Sequence, residues 1–241
     1  MNRKEGNVLG IRIDLLGLAE SVALITESIS AGKKLRIVTA NPELIYKAQK
    51  NKELQDVINT ADLVLPDGIG VVWALRQLGY CLKGRVTGVD LTERLLEEGN
   101  RRGWRVFFLG AKPGVAEKAV AIQTKKYPGI VFSCQHGYYL ADEESFVLER
   151  IGRFAPHLLL VGLGAPRQEY FNAAHKGIAQ VHVGVGGTID VLAGEVKRAP
   201  YFFRRIGLEW FYRLLTQPSR LGRQAVLPLF VLKVLRQKYL S

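Results

Sequence analysis

The chain has 241 residues, 48% of them hydrophobic, enough to bury a substantial core without help from disulfides or metals. Its two cysteines, Cys81 and Cys134, lie far apart without CxxC spacing, which excludes a disulfide framework and reads as reduced, packed thiols. The net charge of +12 is uneven: from Val196 to Ser241 ten Lys/Arg stand against one acid, Glu209, so the surplus sits at one end and points to an acidic partner met at one place.

No low-complexity tract or fixed-period repeat interrupts the chain, and no linker forces two domains. Met1 to Gly10 is polar and charged, without the apolar core of a secretory signal, and no run reaches the roughly 20 apolar residues of a spanning helix. The expectation is a cytoplasmic protein. In chain order, the pattern predicts a strand over Val8 to Ile13, a helix over Leu18 to Ile29, a strand over Leu35 to Val38 and a helix over Pro42 to Gln49. A strand over Leu63 to Leu65 leads to helices over Ile69 to Leu78 and Leu91 to Asn100. Strand and helix then alternate: Arg105 to Leu109, Gly114 to Lys126, Ile130 to Ser133, Glu143 to Phe154, Leu158 to Gly162, Arg167 to His175, Gln180 to Val185 and Thr188 to Ala193. This alternation predicts an α/β fold. Strands apolar on both faces fit a largely parallel sheet covered by helices, and in such a sheet ligands bind beyond the carboxyl ends of the strands.

Five loops lie at those ends. Thr39-Ala40-Asn41-Pro42-Glu43 reads as a helix cap through Asn41 and Pro42; capping leaves Thr39 unexplained, and its hydroxyl is placed to meet a ligand. Leu65-Pro66-Asp67-Gly68 sets a carboxylate at a strand tip, where Asp67 is either a turn residue or a general base. Phe108 to Gly114, with Gly110, is a glycine-bearing loop opening a helix, a setting that favours an anion. Gly164 to Glu169 and Gly184 to Asp190 carry glycines that permit close backbone approach, Gly186 and Gly187 among them. In these two loops Gln168 and Asp190 offer directional hydrogen bonds, unless they are a solvent-facing Gln and a helix cap.

Neither a Walker A loop nor GxGxxG is present, because Arg167 stands where the last glycine after Gly162 and Gly164 belongs; this removes the main support for a dinucleotide cofactor. No Asp-Xaa-Asp occurs, and His136, His157, His175 and His182 lack the i, i+4 spacing of a metal pair. The expectation is an enzyme with no metal and no cofactor, in which Arg85 and the basic C-terminal stretch meet any diphosphate charge.

Together, Thr39 to Glu43, Leu65 to Gly68, Arg85-Val-Thr-Gly-Val-Asp-Leu91, Phe107 to Gly110, Val161 to Glu169 and Gly184 to Asp190 resemble a bacterial family. It comprises the N-acetylmannosaminyltransferases of teichoic-acid linkage-unit synthesis, the N-acetylmannosaminuronic-acid transferases of enterobacterial common antigen and related capsule-type glucosyltransferases. The resemblance implies a Rossmann-like arrangement and an inverting, metal-independent glycosyltransferase at the inner face of the plasma membrane. Its implied partners are a UDP-sugar donor, a polyprenyl-diphosphate-linked sugar acceptor and an anionic membrane surface. It makes Asp67 the catalytic base, Thr39 and Asn41 pocket residues around the sugars, Gly110, Gly186 and Gly187 substrate-approach glycines, and Gln168 and Asp190 donor contacts. Arg85, Arg213, Arg220 and Arg223 become the groups that meet diphosphate. The mannosaminyl branch is preferred because no extra basic residue is reserved for a uronic-acid carboxylate.

Residues 1–195 are thus read as the α/β glycosyltransferase domain and 196–241 as a basic amphipathic helical appendage that contacts membrane and closes the site. Its Arg residues alternate with Phe202, Phe203, Trp210 and Phe211, which fits an interface or a packed core better than a solvated nucleic-acid track. Alternatives that remain open are a UDP-glucose or UDP-N-acetylmannosaminuronic acid transferase, a non-catalytic basic membrane- or nucleic-acid-binding protein, an ordinary closing helix packed on the sheet, and a homo-oligomer contact.

Overall fold

The computed structural model describes residues 3–205, 208–216, 222 and 225–240, except the side chains of Arg204 and Arg213. It opens with β1 (Glu5–Val8) and β2 (Ile11–Asp14), followed by α1 (Leu18–Ser30), β3 (Leu35–Ala40), α2 (Pro42–Ala48), α3 (Lys52–Asn59), β4 (Leu63–Pro66), α4 (Ile69–Gln77) and α5 (Gly88–Arg102). The second half runs β5 (Arg105–Gly110), α6 (Val115–Lys126), β6 (Val131–Gln135), α7 (Glu144–Phe154), β7 (Leu158–Gly162), α8 (Arg167–Ala174), β8 (Val181–Gly184) and α9 (Thr188–Leu192). Then come α10 (Tyr201–Arg205), α11 (Glu209–Thr216) and α12 (Val226–Leu240).

Six strands form one parallel sheet in the order β4-β3-β8-β7-β5-β6, the covered, Rossmann-like α/β arrangement that the doubly apolar strands predict. The chain goes from β3 outward to β4, crosses to β5 and β6 at the other edge, and returns through β7 and β8 to fill the middle. Strands β3 and β8 therefore adjoin although far apart in sequence, pairing Leu35 with Val181 and Ile37 with Val183, and a crevice opens where the strand order reverses. Ile37, Leu63, Val106, Leu158 and Val181 are fully buried on the face packed by α1 and α5. Val38 and Val64 turn to the other face, against α2 and α4.

The structure corrects the opening strand. Val8 to Ile13 is a two-stranded antiparallel hairpin, Val8 opposite Ile11, turned by Leu9 and Gly10 at φ 55° and 86°, the double positive-φ geometry of a tight hairpin turn. Asp14 from this hairpin accepts the Val64 N–H at 2.8 Å, which satisfies and blocks part of the exposed edge of β4. Helix α3 was not foreseen; Asn51 caps it, accepting the Leu54 N–H at 3.0 Å. Helix α5 begins three residues earlier than expected because Thr87 caps it, accepting the Asp90 N–H at 3.1 Å.

The C-terminal stretch is anchored to the body. Phe230 and Val234 of α12 are buried in one apolar cluster with Val8, Leu44, Ile45 and Leu75. Gln237 Oε1 accepts the Leu9 N–H at 2.8 Å. This helix packs on α2 and α4.

Candidate active site

The ends of β3, β4, β7 and β8 converge on a cleft of about 260 Å³. Asp67 enters it from the tip of β4, where its N–H donates to Ala40 O at 2.9 Å and Gly68, at φ 84°, turns the chain into α4. Arg85 is brought alongside because Val86 N–H donates to Pro66 O at 2.9 Å. Asn41 caps α2, its Oδ1 accepting the Leu44 N–H at 2.9 Å, and the residue also lines the cleft. Thr39 also lines it, but its hydroxyl donates to Gly184 O at 2.7 Å, so it ties β3 to β8 at the cleft floor.

On the opposite side Gln168 is buried, not solvent-facing. Its Oε1 accepts the Gly186 N–H at 3.1 Å and its Nε2 donates to Glu169 Oε1 at 2.8 Å. Gly186 and Gly187 border the cleft, together with Thr188. Thus Thr39, Asn41, Asp67, Arg85, Gln168, Gly186 and Gly187 gather in one place.

Gly110 and Asp190 do not join them. Gly110, at φ 144°, lies where a Cβ would come within 2.5 Å of Gly162 O; it is glycine because β5 and β7 pass so closely, and it is outside the cleft lining. Asp190 is half-buried in α9, and its carbonyl receives the N–H groups of Glu195 and Val196; it too is absent from the lining. The Arg213 side chain, Arg220 and Arg223 lie outside the described residues.

Several cleft residues were not foreseen. Glu169 is 1% exposed, and burial pushes its carboxyl up to about 7 against the pull of the Gln168 hydrogen bond and Lys47. Its Oε2 has no partner among the described residues. Lys47 lines the cleft and donates to Ala165 O at 3.2 Å. Glu209 and Trp210, at the start of α11, complete the wall, and the Glu209 carboxylate stands 3.6 Å from the Arg85 guanidinium. Arg198 reaches Asp90 and Glu93. Burial works against the Asp90 charge, yet hydrogen bonds from Thr87 and Arg198 hold its carboxyl below the usual range.

A profile of the glycosyl transferase WecG/TagA/CpsF family matches residues 6–241. The chain belongs to this family. It is 39% identical over 220 residues, 90% of this chain and 85% of the relative, to an N-acetylglucosaminyldiphosphoundecaprenol N-acetyl-beta-D-mannosaminyltransferase of Bacillus spizizenii. It is 36% identical over 242 residues, 98% of this chain and 94% of the relative, to the protein of the same name in Staphylococcus aureus. The protein is therefore a glycosyltransferase.

In this WecG/TagA/CpsF-family transferase a second cavity, of about 890 Å³, opens from the cleft between α4 and the C-terminal helices. Asn41, Glu43, Asp67, Gly68, Ile69 and Trp210 border both. Among the described residues no cluster of three His, Cys, Asp or Glu is placed to hold a metal ion, and no helix is long and apolar enough to cross a membrane.

Proposed function

We propose that this transferase moves N-acetylmannosamine from UDP-N-acetylmannosamine to the C4 hydroxyl of GlcNAc-diphospho-undecaprenol, with inversion. The observation that carries the reading is the position of Asp67. Its carboxylate stands on a rigid strand end, at the border between a polar cleft fit for a nucleotide sugar and an apolar cavity. The names of the two relatives supply the acceptor and the transferred sugar.

The reaction is a single displacement. The acceptor oxygen attacks the anomeric carbon as Asp67 takes its proton; the bond from that carbon to the diphosphate breaks, and UDP leaves with the electron pair. Arg85 and Lys47, both on the cleft wall, offset the charge growing on the diphosphate, a contribution that reaches several kcal/mol where water is excluded. Gln168, held on both sides of its amide, orients the donor, and Asn41 keeps its Nδ2 for a sugar oxygen. Arg213, Arg220 and Arg223 add positive charge from the appendage, and their replacement by alanine cuts turnover more than membrane affinity. The enzyme works in the cytoplasm as a peripheral protein at the inner face of the plasma membrane, because its acceptor is lipid-linked and its C-terminal stretch is basic and apolar by turns.

Purified protein assayed with GlcNAc-diphospho-undecaprenol and a panel of UDP-sugars tests this. Turnover is expected with UDP-N-acetylmannosamine. Preference for UDP-glucose or UDP-N-acetylmannosaminuronic acid overturns the donor assignment.

A further inference from the structure

We infer that the cavity between α4 and α12 seats the isoprene units of the acceptor nearest its diphosphate, so that the tail, entering here, sets the sugar head over Asp67. This rests on the lipid-linked acceptor proposed above and adds where its tail lies.

The first ground is continuity. The cavity is walled at one end by Asp67 and Ile69, which also border the reactive cleft, so a molecule occupying both has its polar end at the base and its other end in the cavity. The second is chemistry. Beyond that border the walls are Trp73, Leu214, Leu227, Pro228, Phe230 and Val231, and the charged groups among the lining residues are Glu43 and Asp67 at the cleft end. Sugars, nucleotides and phosphates need polar partners when taken from water; such walls offer few, whereas a branched hydrocarbon needs none. An apolar cavity of this size is not how a close-packed interior ends by default.

The third ground is that the wall is held in place. Phe230 and Val234 are 1% and 0% exposed, embedded in the body's core, and Lys233 and Lys238 reach Gln49 and Gln77 on the body. The same helix shows Leu229, Leu232 and Leu240 to the outside. These give a long tail an apolar route from the cavity toward a bilayer.

The test uses the full chain in neutral detergent, without anionic lipid, and three acceptors bearing GlcNAc-diphosphate on a methyl, a farnesyl or an undecaprenyl group. From methyl to farnesyl the acceptor KM is expected to fall roughly tenfold or more, with little further change to undecaprenyl, while the donor KM stays level. Equal KM values for methyl and farnesyl acceptors overturn the inference. Val231→Trp, which fills the cavity, should shrink the ratio of methyl to farnesyl KM at least severalfold; a folded variant with the wild-type ratio also overturns it. A farnesyl diphosphate carrying a photoreactive diazirine reads the site without turnover. Crosslinks on α4 and α12 are expected, and crosslinks confined to other surfaces overturn it. If no acceptor is turned over with UDP-N-acetylmannosamine, the donor assignment fails, and the crosslinking result still decides the cavity.

Discussion

The Arg85 guanidinium and the Glu209 carboxylate stand 3.6 Å apart, one beside the end of β4 and the other at the start of α11, both on the cleft wall. Glu209 is the only acid between Val196 and Ser241, and it is spent on a cation that the mechanism assigns to diphosphate. A carboxylate there competes with an incoming anion. Glu209→Gln should therefore tighten UDP binding roughly threefold to tenfold at low salt, less at high salt. Calorimetric titration checks it; weaker binding would mean that Glu209 positions Arg85 rather than opposing the ligand.

Asp67→Asn keeps side-chain size but cannot accept the acceptor proton. Its turnover should drop roughly 10²-fold or more, with UDP affinity and melting temperature near those of the wild type. Activity within about twofold of wild type would remove Asp67 from the role of base.

Chelation should leave turnover unchanged. The cleft's acids, Glu43, Asp67, Glu169 and Glu209, do not converge as a ligand set, and the leaving group's charge is assigned to Arg and Lys. A strict requirement for Mg²⁺ or Mn²⁺, restored after EDTA by the metal alone, would contradict this.

Much of this arrangement was legible in the sequence because strands buried on both faces leave a plain signal, an apolar run ended by Gly, Pro or Asn. Once the sheet is parallel, the residues just past those runs must share one edge. Asp67 and Gln168 were found that way. What the sequence hid depends on tertiary packing. Glu169 follows Gln168 directly, yet only the folded chain shows that its carboxyl is enclosed. Gly110 lies at the right edge but packs against Gly162, a distinction between cleft and strand contact that loop composition does not carry. Leu9 concealed the hairpin because a leucine at positive φ is uncommon. In α12 the body buries Phe230 and Val234, a packing that the alternation of basic and apolar residues over 196–241 does not carry.

Two buried groups predict how stability depends on pH. Glu169 is raised from 4.5 to about 7 by burial, so between those values the unfolded chain has lost a proton that the folded chain keeps. Its contribution is full below about pH 4.5, falls as pH rises, and levels off above about 7, a change of order 3 kcal/mol. Burial lowers His182 from 6.5 to about 4, and there the unfolded chain holds the extra proton, so stability rises by a similar order from about pH 4 to 6.5. The two offset one another in the wild type. Urea unfolding of Glu169→Gln should show the histidine's rise followed by a plateau, and His182→Gln the glutamate's fall. Curves parallel to wild type in both variants would refute the assignment.

The last prediction concerns a chain ending at Glu195. Among the described residues, the apolar clusters built around Phe108 and around Phe107 draw their buried members from residues before 196, so the parallel sheet should persist and circular dichroism should show it. The cluster that holds Leu44 loses Phe230 and Val234, and Leu9 N–H loses its acceptor on Gln237. Emptying one buried phenylalanine site costs about 3–5 kcal/mol, so the melting temperature should fall, and Phe230→Ala in the full chain should reproduce part of that fall. Uncovering the apolar face of α2 and α4 should also promote self-association, visible by sedimentation. Turnover should be lost even on a short-tailed, water-soluble acceptor, because Trp210 leaves the cleft wall and the chain loses Arg213, Arg220 and Arg223. Vesicle binding should be lost as well, since most of the surplus positive charge lies beyond residue 195. Full turnover by the truncated body on that acceptor would show that the C-terminal stretch takes no part in the chemistry and serves only to bring the enzyme to the lipid.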